Sequence, residues 1–200
     1  SEDNLIVTRR GTDIEDFPSI KTHLFAFYNN LKPKTPDDSS EGRKPGTYKW
    51  FEILDNTAYY LEFEKSEKII WGLTADKWAY ALDTEQHYLP SNAYILTSET
   101  ISIRFILGLL NSKLLHYYFR FIGVMTAGGA YTLKAATIEV LPIAIGTKEQ
   151  QKEIALKVES LLNAKAKNKQ VDVSSTESEI DRLVYNLYGL SEDEIKIVEG

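Results

Sequence analysis

Apolar residues follow two different periods along this chain, and the changeover near Ser98 constrains the fold more than any other feature. Before it, "KIIWGL" (68–73), "WAYAL" (78–82) and "NAYILT" (92–97) are short runs dense in aromatic and β-branched residues, bounded by turn formers. That is the pattern of strands. After it, Ile101, Phe105 and Leu109 recur at helical spacing, and Asn111 or Ser112 is placed to cap a second helix through "KLLHYYFRFIGV". Upstream, Ile20, Leu24, Phe27, Tyr28 and Leu31 predict one helix over 17–31, begun by Asp16 and Pro18. "KPKTPDDSSEGRKPG" (32–46) is rich in Pro, Gly, Ser and charge and predicts a mobile surface loop, with order restarting at "YKWFEI".

The stretch "GGAYTLKAATIEVLPI" (128–143) predicts one or two further strands ending at Pro142. Beyond it the chain turns helical. "TKEQ" (147–150) is a capping-box pattern, and Ile154, Val158, Leu161 and Leu162 form a narrow stripe on a charged helix that needs a partner surface. A polar linker, "KAKNKQVDVSS", leads to a second box from Ser174 to Glu177, and Ile180, Leu183, Val184, Leu187 and Tyr188 follow on one face. Gly189 ends that helix and "SEDE" (191–194) opens a last short one. The expected architecture is an α/β (α+β) body with a mixed sheet, residues 1–145, and a C-terminal helical arm, residues 146–200.

Composition narrows the function. Two hundred residues can bury a substantial core. With no cysteine there is no disulfide, thiolate metal site or thiol nucleophile, which suits a reducing, cytoplasmic setting. No apolar run approaches a membrane span, and "SEDNLIVTRRG" is not a signal peptide; the chain reads as a fragment of something longer. The net charge is −6, with 15 basic and 18 acidic residues up to 145 and 8 and 11 beyond. A free-standing DNA-coating protein is normally basic, so any basic face here is local.

Catalysis finds little support. His23, His87 and His116 are the only histidines, and none has a second at ligand spacing. The nucleophile-elbow, dinucleotide and phosphate-loop motifs are absent. Asp37 and Asp38 sit in the polar loop, where burial does little to tune a carboxylate, and steps such as "EKSEK" make a weak nuclease pattern. No catalytic or metal residue is assigned.

Seven phrases in order, "EDFPSIKTHLFAF", "KWFEI", "EKIIWGLTADKWAYALD", "YILTS", "LGLLNSKLLHYYF", "GGAYTLKAATIEVLPIAI" and "EIDRLVYNLYGLSEDEIKIVEG", cover nearly the whole chain. Together they resemble the TaqI-like C-terminal specificity domain of type IIG restriction–modification enzymes and related adenine methyltransferases. The resemblance implies a bacterial target-recognition module that reads duplex DNA. Methylation with S-adenosylmethionine, and cleavage with Mg²⁺ where a nuclease is present, would belong to upstream domains. An N-P-P-Y motif and a glycine-rich cofactor motif are absent, so the expected partners are double-stranded DNA and a methyltransferase domain, with no cofactor bound by this chain. The competing reading is an assembly module of a multisubunit complex that never touches bases.

Candidate contacts follow from residue chemistry and the resemblance. Gly128 and Gly129 allow close backbone approach to phosphate, Tyr131 can donate or stack, and Lys134 can neutralise charge. Arg43, Lys44 and Lys49 concentrate positive charge in "EGRKPGTYKW" for phosphate positioning. Thr74, Asp76 and Lys77, between Trp71 and Trp78, are short polar or cationic tips suited to base edges. Lys113 and Arg120 share a helix face that would line the same cleft, while Tyr117, Tyr118 and Phe121 are expected in the core.

Overall fold

The structure, a computed structural model, describes residues 5–35, 41–54, 60–126 and 128–200. Asp37 and Asp38 of the polar loop fall outside them. Compactness divides the chain between Tyr60 and Leu61.

In the first unit the single helix expected over 17–31 is two. Pro at the first position starts α1 (Pro18–Phe25), and α2 (Tyr28–Leu31) follows a break at Phe27, where φ is −109° and ψ 17°. The break removes the helical register that would have put the apolar stripe on one face, and neither helix buries a residue. The buried residues are instead Thr8, Ile14, Tyr48, Phe51 and Glu52. Arg43 organises the return of the chain: its guanidinium donates to the carbonyls of Leu31 at 2.5 Å and Trp50 at 2.9 Å and lies 4.6 Å from the Tyr48 ring centre. A parallel bridge between Pro33 and Arg43 pins the two ends of the polar loop.

The second unit begins within α3 (Tyr60–Phe63). β1 (Lys68–Gly72) is the centre of a three-stranded sheet, flanked by β3 (Ala81–Asp83) and β4 (Ala93–Leu96). β2 (Thr74–Ala75), β5 (Val124–Met125) and β6 (Tyr131–Thr132) make a second sheet in the order β2-β6-β5. All pairs are antiparallel, so the mixture in this fold is of helix with sheet. The β3 strand starts later than "WAYAL" suggests, because Trp78 and Tyr80 turn toward the next helix. The Trp78 indole donates to the Leu110 carbonyl at 2.6 Å, and Asn111 both accepts from the Tyr80 N–H and donates to its C=O.

That helix is α4 (Ile103–Asn111), capped by Ser102. It is apolar on nearly all sides because it is surrounded: Phe105 and Leu109 are fully buried. α5 (Lys113–Ile122) starts at once, capped by Ser112. The run "AATIEVLPI", expected as strand, opens instead as a short helix, α6 (Ala135–Ile138), and Pro142 lies in the irregular segment after it. Short apolar runs fit either period, and Ala135 and Ala136 favour the helix.

The helical tail comprises α7 (Lys148–Lys167), α8 (Ser174–Tyr188) and α9 (Glu192–Glu199). Thr147 and Gln150 form the expected box, and Ser191 and Glu194 form another. The box expected at Ser174 is absent: Val173 is the cap, and Asp172 accepts from the Ser174 N–H at 2.9 Å instead. Gly189 ends α8 at φ 69°. The stripe on α7 finds its partner in α4. Ile154 and Val158 bury against Gly108, each such side chain contributing roughly 1.5–3 kcal/mol relative to exposure. Asp181 of α8, 6% exposed, accepts from the Lys113 N–H at 2.9 Å and so supports the start of α5. Burial pushes its carboxyl up.

A buried ion pair fixes the end of the first sheet. Lys68 Nζ lies 2.5 Å from Asp83, with side chains 0% and 2% exposed. Burial works to raise the Asp83 carboxyl, but hydrogen bonds from Lys68, His87 and the Glu85 N–H outweigh it and hold it at about 2. His87 is raised in turn by its hydrogen bond to Asp83.

Candidate nucleic-acid interface

Two stretches singled out in the sequence, "WGLTADKWAY" and "GGAYTLK", come together on the second sheet. Thr74 pairs with Thr132 and Ala75 with Tyr131, while Val124 and Met125 pair with the same two residues from the other side. Directly opposed residues share a face. One face therefore carries Ala75, Tyr131 and Met125, and the other carries the row Thr74, Thr132 and Val124.

The first face is anchored to the core. Tyr131 is half-buried, with its hydroxyl 2.8 Å from His116 Nε2. His116 stacks on Trp78 with centroids 5.4 Å apart and planes 13° from parallel. Burial, then the nearby Arg120 guanidinium, lowers the His116 pKa and favours a neutral ring. Leu133, the next residue to point inward, is fully buried, and its carbonyl accepts from the Trp71 indole at 2.9 Å. Both tryptophans thus belong to the core beneath the sheet rather than flanking its tip.

The second face is open. Thr74 and Val124 are exposed and Thr132 half-exposed. Lys134, two residues beyond Thr132, and the turn residues Asp76 and Lys77 beyond Thr74 are exposed as well. Arg120 is exposed one helical turn after His116, on the side of α5 that meets the inner face through Tyr131, and so does not join this row. Among the described residues Lys77, Arg120 and Lys134 make no ion pair.

The glycines close the β5–β6 hairpin. Thr126 N–H donates to Ala130 O at 2.8 Å, Gly129 N–H donates to Thr126 O at 2.9 Å, and the Thr126 hydroxyl accepts from the Ala130 N–H at 3.1 Å. Gly129 takes φ 83°, a conformation a Cβ would oppose, whereas the space around it is open. Gly128 is exposed beside it.

The other candidates lie elsewhere. Lys113 is at the opposite end of α5, its ammonium 3.1 Å from Glu199. Arg43, Lys44 and Lys49 belong to the first unit. Arg43 spends its guanidinium on backbone carbonyls; Lys44 is exposed, its carbonyl bonded by the Tyr48 hydroxyl; Lys49 Nζ lies 5.5 Å from the Phe51 ring centre. Tyr118 and Phe121 are not core: α5 buries Leu115 and Phe119, leaving Phe121 70% exposed.

Thr132 and Val124 were not identified from sequence. The signal for Thr132 was present in "YTLK", where Tyr131 and Leu133 alternate with Thr132 and Lys134, a period of two over four residues. Val124 carried none, since a two-residue strand has no period.

No group of three or more His, Asp or Glu residues comes together to hold a metal ion among the described residues. No helix among them is long and apolar enough to cross a membrane. No curated protein matches the chain. The sequence model of the TaqI-like C-terminal specificity domain matches residues 9–143, from the first unit through α6 to just beyond Pro142. The chain belongs to that family and is a DNA sequence-specificity module of restriction–modification enzymes.

Proposed function

We propose that the outer face of the β2-β6-β5 sheet reads duplex DNA as the target-recognition part of a type IIG restriction–modification enzyme. Adenine methylation with S-adenosylmethionine, and cleavage where a Mg²⁺ nuclease accompanies it, reside in other domains. Thr74, Asp76 and Lys77 present a hydroxyl, a carboxylate and an ammonium, the groups that discriminate base edges in the major groove. Thr132 adds a second hydroxyl beside Thr74. Lys134 and the exposed backbone at Gly128 set the register on phosphate oxygens, the Gly129 and Ala130 amides being used within the turn. Tyr131 acts from below, holding β6 through His116.

The observation that supports this reading is an exposed polar row, Thr74 beside Thr132, with a cation beyond each end, Lys77 and Lys134, neither ion-paired among the described residues, in a chain whose net charge is −6. A local basic border with polar tips is the form a reader takes when the rest of its surface is acidic. Selection from a random duplex library at low salt tests it, with the retained DNA sequenced. A short enriched motif is expected. Lys77→Ala should change the motif. Lys134→Ala should weaken all sequences alike and reduce the salt slope by about 0.9 for each phosphate left unneutralised. Retention of no DNA, by the chain alone or joined to its methyltransferase, would leave the assembly-module reading in its place.

A further inference from the structure

The backbone of β3 has a side with no partner strand among the described residues. β3 is the outer strand of the order β3-β1-β4, paired only with β1. Two hydrogen bonds fix which of its amides face outward. The Tyr80 N–H and C=O both go to the Asn111 side chain, away from β1. Successive residues of a strand alternate, so Ala81 and Asp83 face β1 and Leu82 faces away. The phase is confirmed from the far side of β1: Leu73 N–H donates to Asn92 O at 2.8 Å, placing Leu73, Trp71 and Ile69 toward β4 and leaving Ile70 and Lys68 for Ala81 and Asp83.

A groove of about 710 Å³ runs beside this side of β3, within the second unit. Its apolar wall is built from Leu82, Leu107, Val158, Leu161 and Leu162. The volume lies within the ~300–1,000 Å³ typical of ligand sites. The exposed rim carries Glu177, with Asp181 buried in the wall below it, and the one lysine there, Lys113, is already paired with Glu199. Asn111 shows what the position accepts, because its side-chain amide reproduces one residue of a neighbouring strand.

We propose that this groove binds an extended peptide that adds to β3 as a fourth strand, continuing outward from where Asn111 stops. Main-chain bonds to the Leu82 N–H and C=O would supply register, with alternate apolar side chains entering the groove and basic ones meeting the exposed Glu177. The acidic rim disfavours DNA, so this surface is separate from the polar row on the other sheet and does not depend on the reading given to it.

The probe is a seven-residue peptide of alternating valine and lysine with blocked ends, titrated into the ¹⁵N-labelled chain up to millimolar concentration. The Leu82 amide should shift strongly and saturably. N-methylation of alternate peptide amides should abolish the shift, and replacing lysine by glutamate should weaken binding at least about tenfold. Glu177→Lys, at an exposed position, should weaken the lysine peptide and strengthen the glutamate one. Absence of binding, equal binding of the N-methylated peptide, or shifts that leave Leu82 unmoved would each overturn the proposal.

Discussion

Replacing Gly108 with alanine should weaken the attachment of the helical tail to the body, although the same change stabilises an ordinary helix. A Cβ built at Gly108 lies 2.9 Å from Ile154 Cγ2 and 2.9 Å from Val158 Cγ2, with Ile180 Cγ2 at 3.7 Å. Carbon atoms in favourable contact sit at ~3.5–4.0 Å, so two methyls must move by more than half an ångström. Both belong to β-branched residues within a helix, whose χ1 has one strongly preferred value. The relief therefore has to come from shifting α7 bodily away from α4. Overpacking of this kind costs about 1–3 kcal/mol, and the helix propensity gained by losing a glycine returns about 1 kcal/mol. The expected net loss is up to about 2 kcal/mol. Urea unfolding followed by tryptophan fluorescence in a Trp50→Phe background reads the second unit, because Trp71 and Trp78 both lie there. Val158→Ala removes one of the two obstructing methyls and should itself cost about 1.6 kcal/mol in buried methyl groups. Combined, the two changes should be less damaging than their sum by about 1 kcal/mol. A stabilising Gly108→Ala, additive with Val158→Ala, would refute the close approach of the two helices.

Three further outcomes are expected. Asp83 is held at about 2 in the folded chain against roughly 3.9 unfolded, so its stabilisation is complete above pH ~4 and is lost as pH falls through about 2. Asp83→Asn leaves the buried Lys68 ammonium without its counter-charge and should cost about 3–5 kcal/mol at neutral pH, measured by urea unfolding, and flatten the acid limb of the stability curve. The raised His87 contributes in the opposite sense, present below its unfolded pKa and lost as pH rises through its folded one; a ¹H–¹⁵N titration should show it fall back in the Asp83→Asn variant. Asp181→Ala removes the acceptor for the Lys113 N–H and should cost about 0.5–2 kcal/mol, whereas Asp181→Asn, which keeps an acceptor oxygen, should cost less in the same denaturation assay. Gly129→Ala should destabilise the hairpin by about 1–2 kcal/mol through its backbone alone, since no atom lies within 4 Å of the added Cβ, and Gly129→Asn should recover part of that by thermal melting.

The long elements were legible because each had a period to read. α4, α5, α7 and α8 follow apolar residues at helical spacing, and β1 and β4 coincide with dense β-branched runs. What failed was short or decided from a distance. "AATIEVLPI" holds too few residues to show a period, and the chain resolved it as helix. Ser174 resembled a cap by type, but Asp172, one step before Val173, reached the free amide first. The stripe across 17–31 was real as spacing, yet the break at Phe27 split its register and left Phe27 50% and Tyr28 38% exposed. For the candidate interface, "TADK" and "GGAYTLK" were visible as polar tips. Their pairing was not, because the register joining Thr74 to Thr132 is set by two-residue strands far apart in the chain.

That register carries a consequence for how such a surface changes over generations. Side chains in a strand alternate between faces, so gaining one residue in the glycine turn would roll β5 over and bring Met125 to the outer row where Val124 stands. A hydrocarbon of different shape and flexibility would then sit beside Thr132, with no codon for a residue of the outer row altered. Short insertions in the glycine turn thus act as whole-column edits of the exposed face, while the buried side, tethered through Tyr131 to His116, keeps β6 in place.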